Sequence, residues 1–288
     1  NEVITEENGK KLKAYVARPA GGQGPGLILL HEVYGVNESI KAIADDMATK
    51  GFVVVCPNMY WRHNEEASFR PQAPGEDMTP DLERQRNEAR ELMFEKLDHA
   101  SVPADIKTVA DKMRGASHSN GKVGAMGFCL GAKVAYLAAV KGYVDAAVPF
   151  YPTPELHKMF DPAEAKATAS PIVFLLGGTD PYVTMEEKKS IVDVSASTTY
   201  YVPGLAKPIV SQNASGSTKI QTHYFSANGH AFARKGGKDY DAAVADHAYS
   251  LATSFLAANL NLCRADGTVP TVSFKTPASP AYVPEPKR

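Results

Sequence analysis

Several short runs in this sequence are apolar throughout, and they restrict the chain to a narrow set of folds. The clearest are Gly26–His31 (GLILLH) and Phe52–Pro57 (FVVVCP). Strands that are apolar on both sides suit burial on both faces, which occurs mainly in parallel sheets covered by helices. Stretches with helical spacing lie between most of these runs. The sequence therefore predicts an α/β fold with a mostly parallel central sheet and helices on both faces.

The predicted secondary structure consists of seven strands and four well-marked helices. The strands are predicted at Lys13–Arg18, Gly26–His31, Phe52–Pro57, Lys122–Phe128, Ala146–Tyr151, Ile172–Gly177 and Gln221–Phe225. The helices are indicated by a capping box at Thr184–Glu187, by Ser101-Val102-Pro103, by the stretch Gly131–Val140, and by an apolar stripe of Val244, Ala248, Leu251 and Phe255.

The length and the spacing of these segments favour one α/β domain over residues 1–262, followed by a proline-rich tail over residues 263–288. Two stretches rich in Pro, Gly, Ser and Asn, Trp61–Pro80 and Ser195–Thr218, are predicted to be long loops. Loops of that length are uncommon in a compact domain unless they belong to a functional site.

Charge and cysteine content exclude several classes of protein. Thirty-one basic and 32 acidic side chains give a net charge of -1, which supplies no electrostatic reason to bind nucleic acid or an anionic membrane. No apolar run approaches the roughly 18 residues that span a bilayer. Three cysteines make reduced thiols the default, and we expect a cytoplasmic location. The chain opens at Asn1, so a leader that has been removed stays an open alternative.

The sharpest motif is Gly127-Phe128-Cys129-Leu130-Gly131, between a predicted strand and a predicted helix. It matches the nucleophile elbow, Gly-x-nucleophile-x-Gly, with cysteine in the place of the more usual serine. A helix N-terminus favours a thiolate, and the following amide can face a developing oxyanion. Most free cysteines are small buried hydrophobes, and we keep that interpretation for Cys56 and Cys263. For Cys129 the two glycines and the strand-turn-helix context favour a catalytic nucleophile instead.

A nucleophile of this kind needs a base and a group that orients the base. Asp180 follows a buried strand and a glycine turn, and His230 follows the strand at Gln221–Phe225. Taken singly, Asp180 could be a turn residue and His230 an exposed loop residue. Together they give the order nucleophile, acid, histidine that is typical of α/β-hydrolases. No Cys-x-x-Cys or His-Glu-x-x-His spacing occurs, so a zinc site has little support. Because the chain supplies all the groups that acyl transfer needs, we expect no metal and no cofactor.

The sequence resembles the dienelactone hydrolase (carboxymethylenebutenolidase) family over roughly residues 10–260. The combination is specific, because a Gly-x-Cys-x-Gly elbow is joined by Glu-x-x-Gly-Val upstream and by His-x-Phe-Ala-Arg downstream. The matching segments are Leu30–Asn37, Val55–Tyr60, Glu83–Arg86, Gly127–Gly131, Gly177–Asp180 and Gly229–Arg234.

This resemblance implies an α/β-hydrolase fold and a catalytic triad of Cys129, His230 and Asp180. It places Glu32 beside the thiol, where the carboxylate could accept the thiol proton when an anionic substrate disturbs its own ion pairing. The resemblance also implies an oxyanion hole formed by the backbone amides of Leu130 and Val33, and a substrate carboxylate held by Arg86 and Arg234. Without the resemblance, Arg86 would be read as part of a solvated helix face.

The reaction that the resemblance implies is hydrolysis of a small anionic lactone, dienelactone to maleylacetate, through an acyl-enzyme in the breakdown of chloroaromatic compounds. Positions that are often aromatic in the family pocket are Arg90, Met93 and Phe150 here, so the chemistry transfers better than the substrate. Two alternatives stay open: a related esterase or thioesterase acting on another small ester, and a non-catalytic binding protein. The sequence leaves the oligomeric state undetermined.

Overall fold

The computed structural model describes residues 2–153 and 160–262. The predicted tail of residues 263–288, with Cys263, lies outside the described residues. Across the described ranges, no helix combines the length and the apolar character needed to cross a membrane.

The centre of the fold is a ten-stranded sheet in the order β1-β2-β4-β3-β5-β6-β7-β10-β8-β9. The strands from β4 to β8 in this order are parallel, whereas β1, β2 and β9 pair antiparallel at the two sides. All seven predicted strands are present. The strands are β1 Glu2–Glu7, β2 Lys10–Ala17, β3 Gly24–Leu30, β4 Val53–Pro57, β5 Ser119–Phe128, β6 Ala146–Phe150, β7 Ile172–Gly177, β8 Ser195–Tyr201, β9 Ile209–Gln212 and β10 Ser217–Phe225.

Helices cover both faces of the sheet, as predicted. One apolar core includes residues of α3 and α4, and the other includes residues of α1 and α7. The predicted capping box of α6 is present, with Thr184 and Glu187 bonded reciprocally. The helices are α1 Glu38–Thr49, α2 Pro80–Glu91, α3 Val102–Arg114, α4 Leu130–Val140, α5 Pro162–Ala167, α6 Met185–Val194 and α7 Ala242–Asn259, and α2 runs into a π-helical turn at Leu92–Lys96.

The prediction that Ser195–Thr218 is a loop was wrong. This segment contains β8 and β9, and β10 already begins at Ser217. The physical reason is that Thr and Tyr, which dominate β8, favour strands, although the surrounding Ser, Gly and Pro suggest a loop. The segment therefore extends the sheet beyond β10.

The apolar stripe predicted for the last helix is shifted by one residue at most of its positions. Ala248 is buried as predicted, but the fully buried line continues through Ala245, Ala252 and Leu256. Small alanines let α7 approach the sheet closely, and the larger predicted residues flank this contact while only partly buried.

The predicted loop Trp61–Pro80 contains no helix or strand longer than an isolated bridge until α2 begins at Pro80. The loop supports the segment that follows β3. The Val36 amide donates to the Ala67 carbonyl at 3.0 Å, and the Phe69 amide donates to the Tyr34 carbonyl at 2.9 Å. The loop thus stabilises the backbone around Tyr34, the part of the chain that also carries Glu32.

Candidate active site

Cys129 lies in a strained turn between β5 and α4. Its backbone has φ 54° and ψ −113°, a conformation that is uncommon for a residue other than glycine. The flanking glycines are required by close packing, because a Cβ on Gly127 would lie 2.1 Å from the Gly131 carbonyl oxygen and one on Gly131 would lie 2.3 Å from the Leu30 oxygen. Cys129 is only 8% exposed. The turn therefore presents a nearly buried thiol at the N-terminus of α4.

Asp180 follows β7 and His230 follows β10. Their side chains meet beyond the carboxyl ends of these two neighbouring parallel strands. His230 Nδ1 lies 2.8 Å from Asp180 Oδ2. The turn after β7 is bonded to residues 225–230, the end of β10 and the segment that leads to His230 (the histidine loop), since the Gly178 amide donates to the Phe225 carbonyl at 2.8 Å. With Nδ1–H donating to the carboxylate, the other ring nitrogen is the one available to the thiol of Cys129.

The electrostatic surroundings of His230 favour its protonated form. Burial works to lower the pKa of His230, but the neighbouring Cys129 sulfur and the hydrogen bond to Asp180 outweigh it and raise the pKa to about 10. Cysteine, histidine and aspartate therefore form one continuous chain of interacting groups.

Glu32 and Arg234 form a mostly buried ion pair next to these groups. Arg234 Nη1 donates to Glu32 Oε2 at 2.9 Å, and the Tyr151 hydroxyl donates to Glu32 Oε1 at 3.2 Å. Burial by itself would lower the pKa of Arg234, but the Glu32 carboxylate raises it overall. The ring of Tyr151 also lies against His230, with centroids 5.3 Å apart. Tyr151 thus touches both Glu32 and the histidine.

Tyr34 lies against Arg234, and both predicted arginines affect its pKa. The Arg234 guanidinium lies over the Tyr34 ring, 5.5 Å from its centroid. Burial raises the pKa of Tyr34; Arg234 and Arg86 oppose this shift, and Glu32 and Cys129 add to it. Arg86 itself lies on α2, with its side chain 45% exposed and 3.9 Å from Glu83. Arg234 therefore lies inside the site, whereas Arg86 is half exposed on α2 and pairs with Glu83.

The two amides predicted to form an oxyanion hole belong to segments that the structure joins. Leu130 is the first residue of α4, where backbone amides lack partners within the helix. The next amide, that of Gly131, donates to the His31 carbonyl at 3.1 Å and so ties the elbow to the segment after β3. Val33 lies in that segment, and its carbonyl accepts from the Tyr60 hydroxyl at 3.0 Å.

Three residues near the site were not singled out by sequence reasoning. Tyr34 stands inside a matching segment, and Tyr151 ends a predicted strand, but nothing local indicates their contacts. Tyr182 is 52% exposed, and its ring lies edge-on to His230 at 4.9 Å. Its position two residues after Asp180 is the one signal that could have identified it.

The fold and the elbow define an α/β-hydrolase of the carboxylic ester hydrolase class. The sequence model of the Dienelactone hydrolase family matches residues 12–260, and the chain belongs to that family. Carboxymethylenebutenolidase of Pseudomonas putida is 30% identical over 254 residues, which cover 88% of this chain and 94% of that protein. Protein usf of Aquifex pyrophilus is 30% identical over 258 residues, covering 87% and 94% of the two chains.

Solved structures show the same fold. A dienelactone hydrolase-like promiscuous phosphotriesterase from metagenomic libraries superposes with a TM-score of 0.61 at 19% identity, covering 87% of this chain and 93% of that chain. Thermogutta terrifontis esterase 2 superposes with a TM-score of 0.57 at 15% identity, covering 91% and 95%.

Proposed function

We propose that this enzyme opens a small lactone that carries a carboxylate, as in the conversion of dienelactone to maleylacetate, with Cys129 as the nucleophile. The observation that carries the proposal is the contact between His230 and Asp180, with Nδ1 and Oδ2 2.8 Å apart, within electrostatic reach of the Cys129 thiol in its strained turn. The similarity to proteins named carboxymethylenebutenolidase supports the choice of a lactone. Such a reaction would belong to the degradation of aromatic compounds.

In the first half of the reaction, the Cys129 sulfur attacks the lactone carbonyl carbon. The carbonyl oxygen becomes an oxyanion, which the backbone amides of Leu130 and Val33 stabilise. The intermediate collapses by breaking the ring carbon–oxygen bond, and His230 gives its proton to the departing oxygen. The product of this half is a thioester with Cys129.

In the second half, water hydrolyses the thioester. His230, now neutral, takes a proton from the water as it attacks the acyl carbon, and Asp180 stabilises the imidazolium that forms. Collapse of this intermediate releases the acid and returns the sulfur as a thiolate paired with the imidazolium. Protons balance over the cycle, since one water is consumed and its atoms end in the acid and the opened ring.

The substrate carboxylate binds Arg234, with Arg86 adding positive charge from the outer side. Because Arg234 already pairs with Glu32, an incoming carboxylate competes for the guanidinium. The displaced Glu32 carboxylate then takes the thiol proton before the sulfur attacks, and it returns this proton to the thiolate once the acid has left. In this way the binding of an anionic substrate activates the nucleophile.

The direct test compares Cys129→Ala with Cys56→Ala in a spectrophotometric assay of dienelactone opening. Cys56 is a matched control, because it is a fully buried thiol in β4, where burial raises its pKa. We expect Cys129→Ala to abolish turnover and Cys56→Ala to retain it. Equal turnover by the wild type and Cys129→Ala would overturn the role of Cys129.

A second candidate is hydrolysis of a neutral small ester or thioester by the same triad. The observation that favours it is the ion pair itself, because Glu32 already satisfies Arg234 in the free protein and Arg86 is half exposed. A neutral substrate would leave this pair intact. The two candidates differ in how they respond to loss of the arginines.

A further inference from the structure

Lys188 on α6 is a buried cation outside the groups assigned above. The residue is only 4% exposed, although an ammonium group is strongly hydrated and rarely buried without partners. Its Nζ donates to the carbonyl oxygens of Gly178 and Asp180, each at 2.9 Å. Burial lowers the pKa of Lys188, against the opposing effect of the Asp180 and Glu187 carboxylates.

The two carbonyls that Lys188 binds bracket the turn that presents Asp180. The opposite side of this turn is bonded to the histidine loop, because the Gly178 amide donates to the Phe225 carbonyl at 2.8 Å and the Thr179 amide donates to the Asn228 carbonyl at 3.1 Å. The turn is therefore held from both sides. The Gly178 and Thr179 amides face the histidine loop, and the Gly178 and Asp180 carbonyls face the ammonium.

The neighbouring carboxylate on α6 is already engaged elsewhere. Glu187 Oε2 accepts from the Thr184 amide at 2.7 Å in the capping box of α6. The helix cap fixes the start of α6. It thereby also fixes the position of Lys188, which directly follows Glu187. Rigid support of this kind is what a catalytic acid needs, since its geometry must be held to within about half an ångström.

We propose that Lys188 is a positioning residue that holds the Gly178–Asp180 turn so that the Asp180 carboxylate stays bonded to His230. The proposal deepens the proposed function and rests on it. An apolar side chain at this position would leave two carbonyls without their donor, and the turn would relax to find other partners. Asp180 would then orient the histidine less well, and the thiolate–imidazolium pair would be weakened.

The test is Lys188→Met, with Lys189→Met as a matched control. Lys189 is the next residue of the same helix, but its side chain is 72% exposed and pairs with Asp193. We expect Lys188→Met to lower kcat/KM about 10- to 100-fold, mainly through kcat, as a small misplacement of a catalytic group does. We also expect the midpoint of the pH profile for inactivation by iodoacetamide to rise by about one pH unit. Lys189→Met should change neither quantity.

Two further variants separate positioning from simple loss of stability. Lys188→Arg keeps a cation with several donors and should recover most of kcat. In an Asp180→Asn background, Lys188→Met should lower kcat/KM little further. The effects of the two substitutions are not additive if Lys188 acts through Asp180. A full additional loss in that background, or an unchanged alkylation profile in Lys188→Met, would overturn the inference. A wild type that neither turns over the lactone nor is alkylated at Cys129 would instead overturn the proposed function.

Discussion

The Glu32 carboxylate and the Arg234 guanidinium are paired at 2.9 Å, with side chains only 7% and 19% exposed. Burial raises the pKa of Tyr151; Glu32 and Cys129 add to this shift, and Arg234 opposes it. Removing one member of such a pair leaves the other charge without compensation in a poorly hydrated place. Any anion that binds Arg234 must therefore compete with Glu32.

Glu32→Gln should slow formation of the acyl-enzyme with an anionic lactone much more than it weakens binding. The amide keeps the size of the side chain but cannot take a proton, and a positioned base commonly contributes about 10²- to 10⁴-fold. Stopped-flow measurement of the first turnover gives the acylation rate. Glu38→Gln is the matched control, because Glu38 is an exposed glutamate on α1 that pairs with Lys41. An acylation rate equal to that of the wild type would exclude Glu32 as the proton acceptor.

Arg234→Ala and Arg86→Ala should raise KM for an anionic lactone and leave p-nitrophenyl acetate nearly unaffected. A charge-assisted hydrogen bond contributes about 1.5–3 kcal/mol, so we expect about a tenfold or larger rise for Arg234. The rise for Arg86 should be smaller, because water screens its 45% exposed side chain. Steady-state kinetics with both substrates provide the comparison.

Arg84→Ala is the control for this pair of variants, since Arg84 lies on α2 with Arg86 but is 64% exposed and paired with Asp81. Equal effects of the arginine variants on the charged and the neutral substrate would contradict a carboxylate site. That result would favour the neutral ester instead.

His31→Gln should flatten the loss of stability in acid. Burial lowers the pKa of His31 from 6.5 to about 4. As pH falls below about 6.5, the unfolded chain takes up a proton that the folded protein refuses, so the free energy of unfolding falls by about 1.4 kcal/mol per pH unit until the pH approaches 4. Glutamine can keep both contacts of the ring, a bond from Nδ1–H to the Glu32 carbonyl and a bond from the Met59 amide to Nε2.

Urea unfolding between pH 4.5 and 7.5 measures this dependence. The exposed His63 supplies the control, as His63→Gln should leave the slope of the wild type unchanged. An identical acid slope in the wild type and His31→Gln would show that His31 does not account for the pH dependence.

Asp105→Ala should lower the free energy of unfolding by about 1.5–3 kcal/mol, the usual value of hydrogen bonds to a charged group. The buried Asp105 carboxylate accepts from the Trp61 indole at 2.9 Å and from two nitrogens of Arg62 at 2.6 and 2.9 Å. These bonds attach the beginning of the 61–80 loop to α3. Urea denaturation compares this variant with Asp111→Ala, a 52% exposed aspartate of the same helix, which should lose under about 1 kcal/mol.

The sequence predicts most of the sheet because buried parallel strands leave continuous apolar runs, such as Leu27–Leu30 in β3. It misses β1, β8 and β9 for the opposite reason. All four residues of β9 are exposed at the edge of the sheet, so they show no burial pattern to detect. Edge strands of this kind form through pairing with a neighbour, and local composition does not reveal that neighbour.

The elbow was predictable because its strained turn demands glycine at fixed positions around Cys129. The pairing of Glu32 with Arg234 was not predictable from spacing, since 202 positions separate the two residues. The resemblance to a family placed both at the site but could not show that they contact each other. The role of Lys188 was not predictable either, because in the sequence it is one of two adjacent lysines in a polar stretch.

If Cys129 is the nucleophile, an acyl group is bonded to its sulfur during turnover. Rapid-quench mass spectrometry of the intact protein with lactone, followed by peptide mapping, detects such a bond. We expect a transient mass increase equal to the mass of the lactone, located on the peptide that contains Cys129 and decaying at the rate of product release. Turnover without any such adduct, or with the adduct on another residue, would contradict this role of Cys129.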